Sequence, residues 1–349
     1  MVSGVISGML GALSQDVAID LGTSETRVAV KGRGVVLAEP SMVAVRGAAR
    51  GGQRGGRQVI AVGGDARRML GRTPVDIEVI RPIRDGVISD FEVTEAMLRE
   101  FVLLSTGGLL VGPRAVMCVP LGTTDVERRA LRECAEAAGV REVVMLEQPI
   151  AAALGAGLDV TAPQGCMVVD IGGGTTQVAV LALAGTVRSR SVRVGGDQMD
   201  EAIVRQLRAE RELLIGPVTA EHLKLTLGSA TPPQGGAYLD VRGRDLASGY
   251  PRAHRVSAAE VHRALAGPVA LIVEAVLATL DRTPPELSAD ITDTGVVLTG
   301  GGAQLPGLDR VLRDACGVPV VVASEPADAT VLGAARAMAH EELLRAIGS

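Results

Sequence analysis

Two stretches of the chain, AIDLGTSETRVAV at 18–30 and VVDIGGGTTQVAV at 168–180, align without a gap. Asp20 falls on Asp170, Gly22 on Gly172, Thr26 on Thr176, and Val28-Ala29-Val30 on Val178-Ala179-Val180, a constant offset of 150 residues. That spacing is too long for a stacked repeat unit and fits two similar domains, each opening with the same hairpin. Each copy sets an acid and glycine inside an otherwise strand-like run. Glycine is costly in a strand interior, so it marks a tight turn or a close backbone approach by a ligand. A single copy would read equally well as an ordinary glycine-rich hairpin; the second makes coincidence the weaker account.

The residue types of the turn define its chemistry. Backbone N–H groups bared by glycine and flanked by Ser or Thr hydroxyls form a concave set of donors suited to phosphate oxygens. Gly22, Thr23 and Ser24 make one such set, and Gly172, Gly173, Gly174 and Thr175 the other. An Asp at the preceding strand end repels phosphate but suits a magnesium ion that keeps most of its waters, so Asp20 and Asp170 read as ligands to metal-bound water. The two turns are expected to face each other as clips on one polyphosphate. A third glycine run, Gly300, Gly301 and Gly302 in GVVLTGGGAQLPGLDRVLRDA, follows a buried strand and precedes a helix, a place where α/β proteins bind flat ligands and phosphates.

The 349 residues and 47% hydrophobic content allow two domains with full cores. A net charge of −5 and 1% aromatics supply neither a basic field nor stacking platforms, which argues against nucleic acid as a partner. Cys118, Cys134, Cys166 and Cys316 are dispersed and read as buried thiols of a reducing cytoplasm, and no metal site is assigned to the scattered histidines. No apolar run is expected to approach the ~20 residues of a spanning helix. Residues 2–13, VSGVISGMLGAL, place apolar side chains at helical spacing without a basic leader; they read either as a tail without structure or as a short membrane-surface helix.

Along the chain, residues 16–45 alternate as strands, and GAARGGQRGGR at 47–57 is a loop by composition. Helices are expected at 92–104, from Thr124 or Asp125 to Gly139, and at 149–156, 199–215, 219–227 and 257–280. Strands are expected at 114–119, 142–146 and 295–299. Residues 231–255 read as irregular, with strands around 237–242.

DLGTS, DIGGGTT and VVLTGGGAQLPGL, in that order, resemble the two phosphate loops and adenosine motif of the superfamily of actin, DnaK-type chaperones and sugar kinases. AEPSMVAV, GRTPVDIEVIRPIRDGVISDF, VERRALRECAEAAGVREV, SVRVGGDQMDEAI, GSA and CGVPVVVA look specifically like MreB and Mbl, the bacterial actins of cell shape, over about residues 16–338. The resemblance implies an α/β, actin-like ATPase fold: two related domains around a nucleotide cleft, in four subdomains. Domain I would span 1–150 with an outer lobe at 37–71 and residues 326–349 packing back on it. Domain II would span 151–325 with an outer lobe at 189–255. It also implies ATP with Mg2+, self-assembly into paired protofilaments, a cytoplasmic protein peripheral on the inner face of the cell membrane, and membrane-borne wall-synthesis partners.

Carried over by position, Gly22, Thr23 and Ser24 would hold phosphates from one side and Gly172 to Thr175 from the other. Gly300 to Gly302 would lie against adenosine, and Gly196, Asp197, Glu221 and Lys224 around ribose and base; Glu221 and Lys224 read equally as a surface helical pair. Gln148, Thr175 and Asp170 are expected to carry hydrolysis. MreB proteins usually have two glutamates before the proline; here MLEQPIAAALG keeps Glu147 and has Gln148 at the second position. A glutamine orients water through its carbonyl oxygen but is no base at neutral pH, so a slow ATPase is expected. Gln177 stands where the family often has an acid. Leu109-Leu110, in STGGLLVGPRAV, reads either as a lipid-facing loop or as packing under the neighbouring helix. The competing functions are a small-molecule kinase or a non-polymerising ATP-dependent clamp of the same superfamily.

Overall fold

The computed structural model describes residues 15–47, 57–108 and 111–348. Residues 2–13, most of the 47–57 loop and Leu109-Leu110 therefore lie outside the described residues. The chain divides into two compact units. One takes in the chain up to Ala162 with Leu183–Gly185 and the segment from Asp328 onward; the other comprises Pro163–Ala182 and Thr186–Ala327.

The first unit opens with β1 (Val17–Leu21), β2 (Glu25–Val30) and β3 (Gly34–Pro40), followed by β4 (Val43–Arg46), β5 (Gln58–Val62), α1 (Gly64–Met69) and β6 (Ile77–Ile80). A short hairpin, β7 (Ile83–Arg84) and β8 (Val87–Ile88), leads into α2 (Phe91–Thr106), β9 (Arg114–Val119), α3 (Asp125–Ala137), β10 (Glu142–Glu147) and α4 (Gln148–Gly155). Among the described residues the main sheet runs β10-β9-β1-β2-β3, and a small sheet runs β5-β4-β6. β1 is nearly continuous in its burial, with Val17, Ala18 and Ile19 at 0–1% exposure, as expected of a central strand covered on both faces. Helix α3 begins in a capping box, Thr124 accepting from Glu127 N while the Glu127 carboxylate accepts from Thr124 N, so its start was fixed by local sequence.

The second unit contains β11 (Cys166–Ile171), β12 (Thr176–Ala182), β13 (Gly185–Val192), α5 (Gly196–Arg211), β14 (Leu213–Leu214), α6 (Pro217–Leu227), β15 (Tyr238–Asp245) and β16 (Pro251–Ser257). There follow α7 (Ala258–Leu280), α8 (Pro285–Thr294), β17 (Val296–Thr299), a single 3-10 turn (Gly301–Gln304), α9 (Leu308–Cys316) and β18 (Val320–Val322). Its main sheet runs β13-β12-β11-β17-β18, the same order as in the first unit. Helices α10 (Ala329–Ala339) and α11 (Glu341–Ile347) belong to the first unit. There α10 lies so close on α4 that a Cβ at Gly155 would run into the Ala329 carbonyl, and one at Gly333 into that of Ala151.

The repeat reaches the hydrogen-bond register. β1 pairs antiparallel with β2 from Val17↔Val30 to Leu21↔Thr26, and β11 with β12 from Met167↔Val180 to Ile171↔Thr176. A parallel strand then flanks each: β9 sets Cys118 beside Asp20, and β17 sets Thr299 beside Asp170.

Three elements differ from the sequence reading. The helix expected at 199–215 starts at Gly196 and ends at Arg211, because Glu212 turns left-handed (φ 51°) and Leu213-Leu214 pair with Asp245-Arg244. Residues 251–255, expected to be irregular, belong to β16, which pairs with β15 from Tyr238↔Ser257 to Arg244↔Pro251. That hairpin is exposed on one face and carries arginines, so it lacks the apolar signature of a buried strand. After Gly300 the chain makes a 3-10 turn before its helix. Helix α7, interrupted by charges in sequence, is long and apolar enough to cross a membrane. Its Val261, Leu265, Ile272 and Val276 are nevertheless at 0–1% exposure in the hydrophobic core of the second unit.

Candidate nucleotide site

In the first unit, the turn Gly22-Thr23-Ser24 joins β1 to β2 and is held from outside by hydroxyls. Ser41 Oγ donates to the Gly22 carbonyl (2.7 Å), and Ser41 N to the Ser24 carbonyl (2.9 Å). Ser41 Oγ also shares a hydrogen bond of 2.8 Å with the fully buried Thr26 Oγ1. Thr23 Oγ1 accepts from Gly86 N (3.1 Å), which leaves its hydroxyl proton to donate elsewhere. A Cβ on Gly22 would sit 2.5 Å from the Glu25 carbonyl oxygen, so the turn closes only around glycine.

Asp20, at the end of β1, accepts from Gln148 Nε2 (2.9 Å) at the start of α4. A carboxylate can only accept, so the amide nitrogen of Gln148 must face Asp20 and its carbonyl oxygen must turn the other way. Gln148 is buried, at 8% exposure. Arg27 lies directly opposite Asp20 on β2 and thus on the same face of the sheet. Its Nε donates to Asp328 Oδ1 (2.8 Å) and its NH2 to Glu25. Asp20 keeps some exposed surface, yet crowding desolvates it. Burial pushes its carboxyl upward, against the lowering exerted by the Gln148 hydrogen bond and the Arg27 charge.

In the second unit, the turn Gly172-Gly173-Gly174-Thr175 is held by backbone. Gly172 N donates to the Thr175 carbonyl (2.8 Å). Gly196 N donates to the Gly172 carbonyl (3.0 Å) and Asp197 N to that of Gly173 (2.8 Å), so the first turn of α5 is stitched to the glycine turn. Gly195 makes this approach possible: a Cβ there would lie 2.5 Å from Gly172 O and 2.6 Å from Gly173 O. Thr176 Oγ1, equivalent to Thr26 and equally buried, donates to the Val194 carbonyl (2.7 Å). Asp170 is buried and accepts from Thr299 Oγ1 (3.0 Å). Gln177, at 1% exposure, shares its sheet face. A neutral amide there avoids setting two buried carboxylates against each other, which is a physical account of the missing acid.

Lys224 on α6 lies at the same place. Its Nζ donates to the Gly196 carbonyl (2.9 Å) and to Asp200 Oδ2 (2.9 Å), with both side chains at 15% exposure. It is neither a surface pair with Glu221 nor aimed away from the turn. Glu221, one turn earlier, acts on Asp200 through its charge. Gly300 (φ 80°) packs against the other side of the same strand end, where a Cβ would collide with the Ile171 carbonyl; at Gly302 it would collide with the Ile171 side chain. Gly301, between them, is exposed and has nothing within 4 Å of a Cβ position.

The second unit thus gathers Asp170, Gly172 to Thr175, Gly196, Asp197, Glu221, Lys224 and Gly300 to Gly302 into one set. The first gathers Asp20, Gly22 to Ser24 and Gln148. Gln148 and Thr175 belong to different units. The sequence reading did not find Ser41, Arg27, Asp200, Gly195 or Thr299. Gly195 was within reach, as the first glycine of VGGDQMD; the others are polar residues whose partners are distant in sequence.

Two five-stranded sheets of one order, each with a glycine turn after an acid-ended central strand, define an actin-like protein. The model of the MreB/Mbl protein family matches residues 14–346, and the chain belongs to that family of bacterial actin-like cell-shape proteins. The cell shape-determining protein MreB of Escherichia coli (strain K12) is 51% identical over 330 residues, 94% of each chain. Cell shape-determining protein Mbl of Bacillus subtilis (strain 168) is 47% identical over 321 residues, 92% of this chain and 94% of that one. The crystal structure of MreB 5 of Spiroplasma citri bound to AMPPNP is 32% identical and superimposes with a TM-score of 0.87 over 95% of this chain and 97% of that one. The same protein bound to ADP gives 0.88.

Proposed function

We propose that this chain binds ATP with Mg2+, hydrolyses it slowly, and assembles through paired protofilaments into filaments on the inner face of the cell membrane that organise wall synthesis. One observation carries the nucleotide part of this reading: both units build the same glycine turn after an acid-ended strand, in the same register. Family membership and a 32%-identical relative bound to AMPPNP and to ADP support it further. The donors suit phosphate: Thr23 keeps a proton to give, and the open face of Gly301 leaves room beside the backbone for a flat group. The metal fits as well, because Asp20 and Asp170 are hard oxygen donors at strand ends. Bound through water to these two carboxylates, Mg2+ would neutralise charge on the phosphates.

Gln148 acts by position. One N–H of its amide goes to Asp20, and to its carbonyl oxygen, on the other side of the amide, we assign orientation of the attacking water, with Thr175 and Asp170 contributing from the second unit. An amide cannot remove the water's proton, and turnover is correspondingly slow. Membrane contact falls to residues 2–13 and Leu109-Leu110; weak single anchors multiply along a filament through avidity.

The test is electron microscopy of the purified chain with magnesium ATP, with and without anionic liposomes. Paired filaments lying flat on lipid are expected, and deletion of residues 2–13 should release them from it. Protein that binds ATP but forms no filament under any condition would favour the kinase or clamp.

A further inference from the structure

We propose that Ser41 is a positioning residue for phosphate binding: from the joint between β3 and β4 it sets the direction of the N–H donors in the first glycine turn. The proposal rests on the nucleotide reading above and adds to it a fully buried residue that acts through the turn.

A trans peptide points its C=O and the following N–H in opposite directions. Ser41 takes two carbonyls of the turn, its Oγ donating to Gly22 O (2.7 Å) and its N to Ser24 O (2.9 Å). Both carbonyls are thereby turned toward Ser41. The N–H groups that follow them, those of Thr23 and Glu25, are turned the other way, as donors to phosphate oxygens. Glu25 thus joins Gly22, Thr23 and Ser24 in the first clip, through its backbone.

Ser41 is a fixed point from which to do this. Its Oγ lies 2.8 Å from Thr26 Oγ1, and because the one Ser41 proton goes to a carbonyl, which can only accept, Thr26 is the donor in that bond. The chain is tied down again on either side. The Glu39 carboxylate accepts from Gly64 N (2.7 Å), and the Met42 carbonyl accepts from Gly63 N (2.9 Å). Ser41 therefore stands where the main sheet, ending in β3, hands the chain to β4 of the small sheet, and it is braced against both.

The repeat points the same way. In the second unit the carbonyl of Gly172, the counterpart of Gly22, also takes a donor from outside its hairpin, there the N–H of Gly196 (3.0 Å). The two units keep the hold on this carbonyl and change the donor. Folding energy is a poor reason for it, since two buried hydroxyls exchange bonds to water for bonds to protein, and an apolar pair of the same shape would be about as stable. An apolar pair cannot aim a carbonyl.

The full chain in three variants separates this role from a structural one: Ser41→Ala, Thr26→Val, and both together. In urea unfolding the double variant should be more stable than Ser41→Ala, because the Thr26 hydroxyl is no longer left buried and unpaired. Nucleotide affinity should not follow that order. Ser41→Ala and the double variant should each bind magnesium ATP and magnesium ADP about 10-fold more weakly and adenosine unchanged, with Thr26→Val within about 3-fold of the parent for all three. If the double variant regains ATP affinity along with stability, or if adenosine weakens as much as ATP, Ser41 serves the fold alone and the proposal is wrong. A second measurement needs no nucleotide. Amide hydrogen exchange at Gly86, whose N–H binds Thr23 Oγ1, should run about 10-fold faster in Ser41→Ala and in the double variant, with β15 unchanged. Unchanged exchange at Gly86 in both overturns the proposal, whether or not the chain binds nucleotide. Failure of the parent to bind ATP would sink the proposed function alone, and exchange at Gly86 would then decide whether Ser41 aims the turn.

Discussion

The two glycine turns were built from one sequence pattern and are held in two different ways. In the first unit the turn hangs mainly on side chains: besides one backbone bond from Ser41 N to the Ser24 carbonyl, the Ser41 hydroxyl supports it from β3's end, Gly86 N binds the Thr23 hydroxyl, and Gln148 and Arg27 confront Asp20. In the second it hangs on backbone: Gly195 lets α5 approach, two peptide N–H groups stitch it down, and the residues facing Asp170 are the neutral Thr299 and Gln177. A side-chain support can be removed singly and its loss is graded. A backbone support depends on the space left by a missing Cβ, so it fails abruptly. On the proposed function the comparison also divides labour: Asp20, the acid with a charged and an amide neighbour, is the one beside Gln148, to which orientation of the water is assigned, whereas Asp170 faces two neutral side chains.

The largest effect expected from this contrast is at Gly195. Gly195→Ala would drive a Cβ into two carbonyl oxygens and should cost on the order of 2–3 kcal/mol, read from urea unfolding, together with most of the ATP affinity. Full tolerance would mean that α5 does not hold the turn. Next is Gln148→Ala, which should lower turnover about 10–100-fold with little change in nucleotide affinity. Gln177→Ala, at the corresponding face of the other unit, should leave turnover much closer to the parent; equal losses would erase the division of labour.

A smaller effect is expected at the hydroxyl supports. Ser41→Ala removes the bond to Gly22 and strips Thr26 of its partner, for a loss of roughly 1–2 kcal/mol in unfolding free energy. Thr26→Val combined with Ser41→Ala should recover part of that loss, because no buried hydroxyl is then left unpaired. The smallest is a slope. Asp200 has a folded pKa of about 6, above its ordinary 3.8, so the stability it contributes is present below the ordinary value and lost as pH rises through about 6. The unfolding free energy of Asp200→Asn, relative to the parent, should therefore rise between pH 4 and pH 7; a flat difference would mean that the carboxyl is not desolvated as the structure has it.

Much of the candidate site was legible in the sequence because it is local. Asp, Gly and Thr at fixed spacing announce a hairpin, and the second copy showed which glycines belong to the repeated turn. The third run, Gly300 to Gly302, was legible from its place between strand and helix. Gln148 was legible by resemblance, through the EQP stretch. Ser41 was not, because a serine ahead of a short strand looks like any turn residue. β16 was missed for a related reason: PRAHRVS lies half in solvent, so the alternation that identifies a strand is carried by His and Arg stems and not by apolar residues. Helix α5 was placed too late because its start depends on glycines, which have no helical preference of their own.

By itself, then, the sequence determined the repeated turn, the register of both hairpins and the identity of the acids that end the central strands. These depend on alternation and turn chemistry within about fifteen residues, which act before any distant contact forms. Only the tertiary structure decided what each turn leans on. Gln148 meets Asp20 from 128 positions away, Thr299 meets Asp170 from 129, and Lys224 reaches Gly196 from another helix. Such partners are selected by strand order and helix packing, in which a buried polar group takes whichever complementary atom the assembled core brings within hydrogen-bond reach.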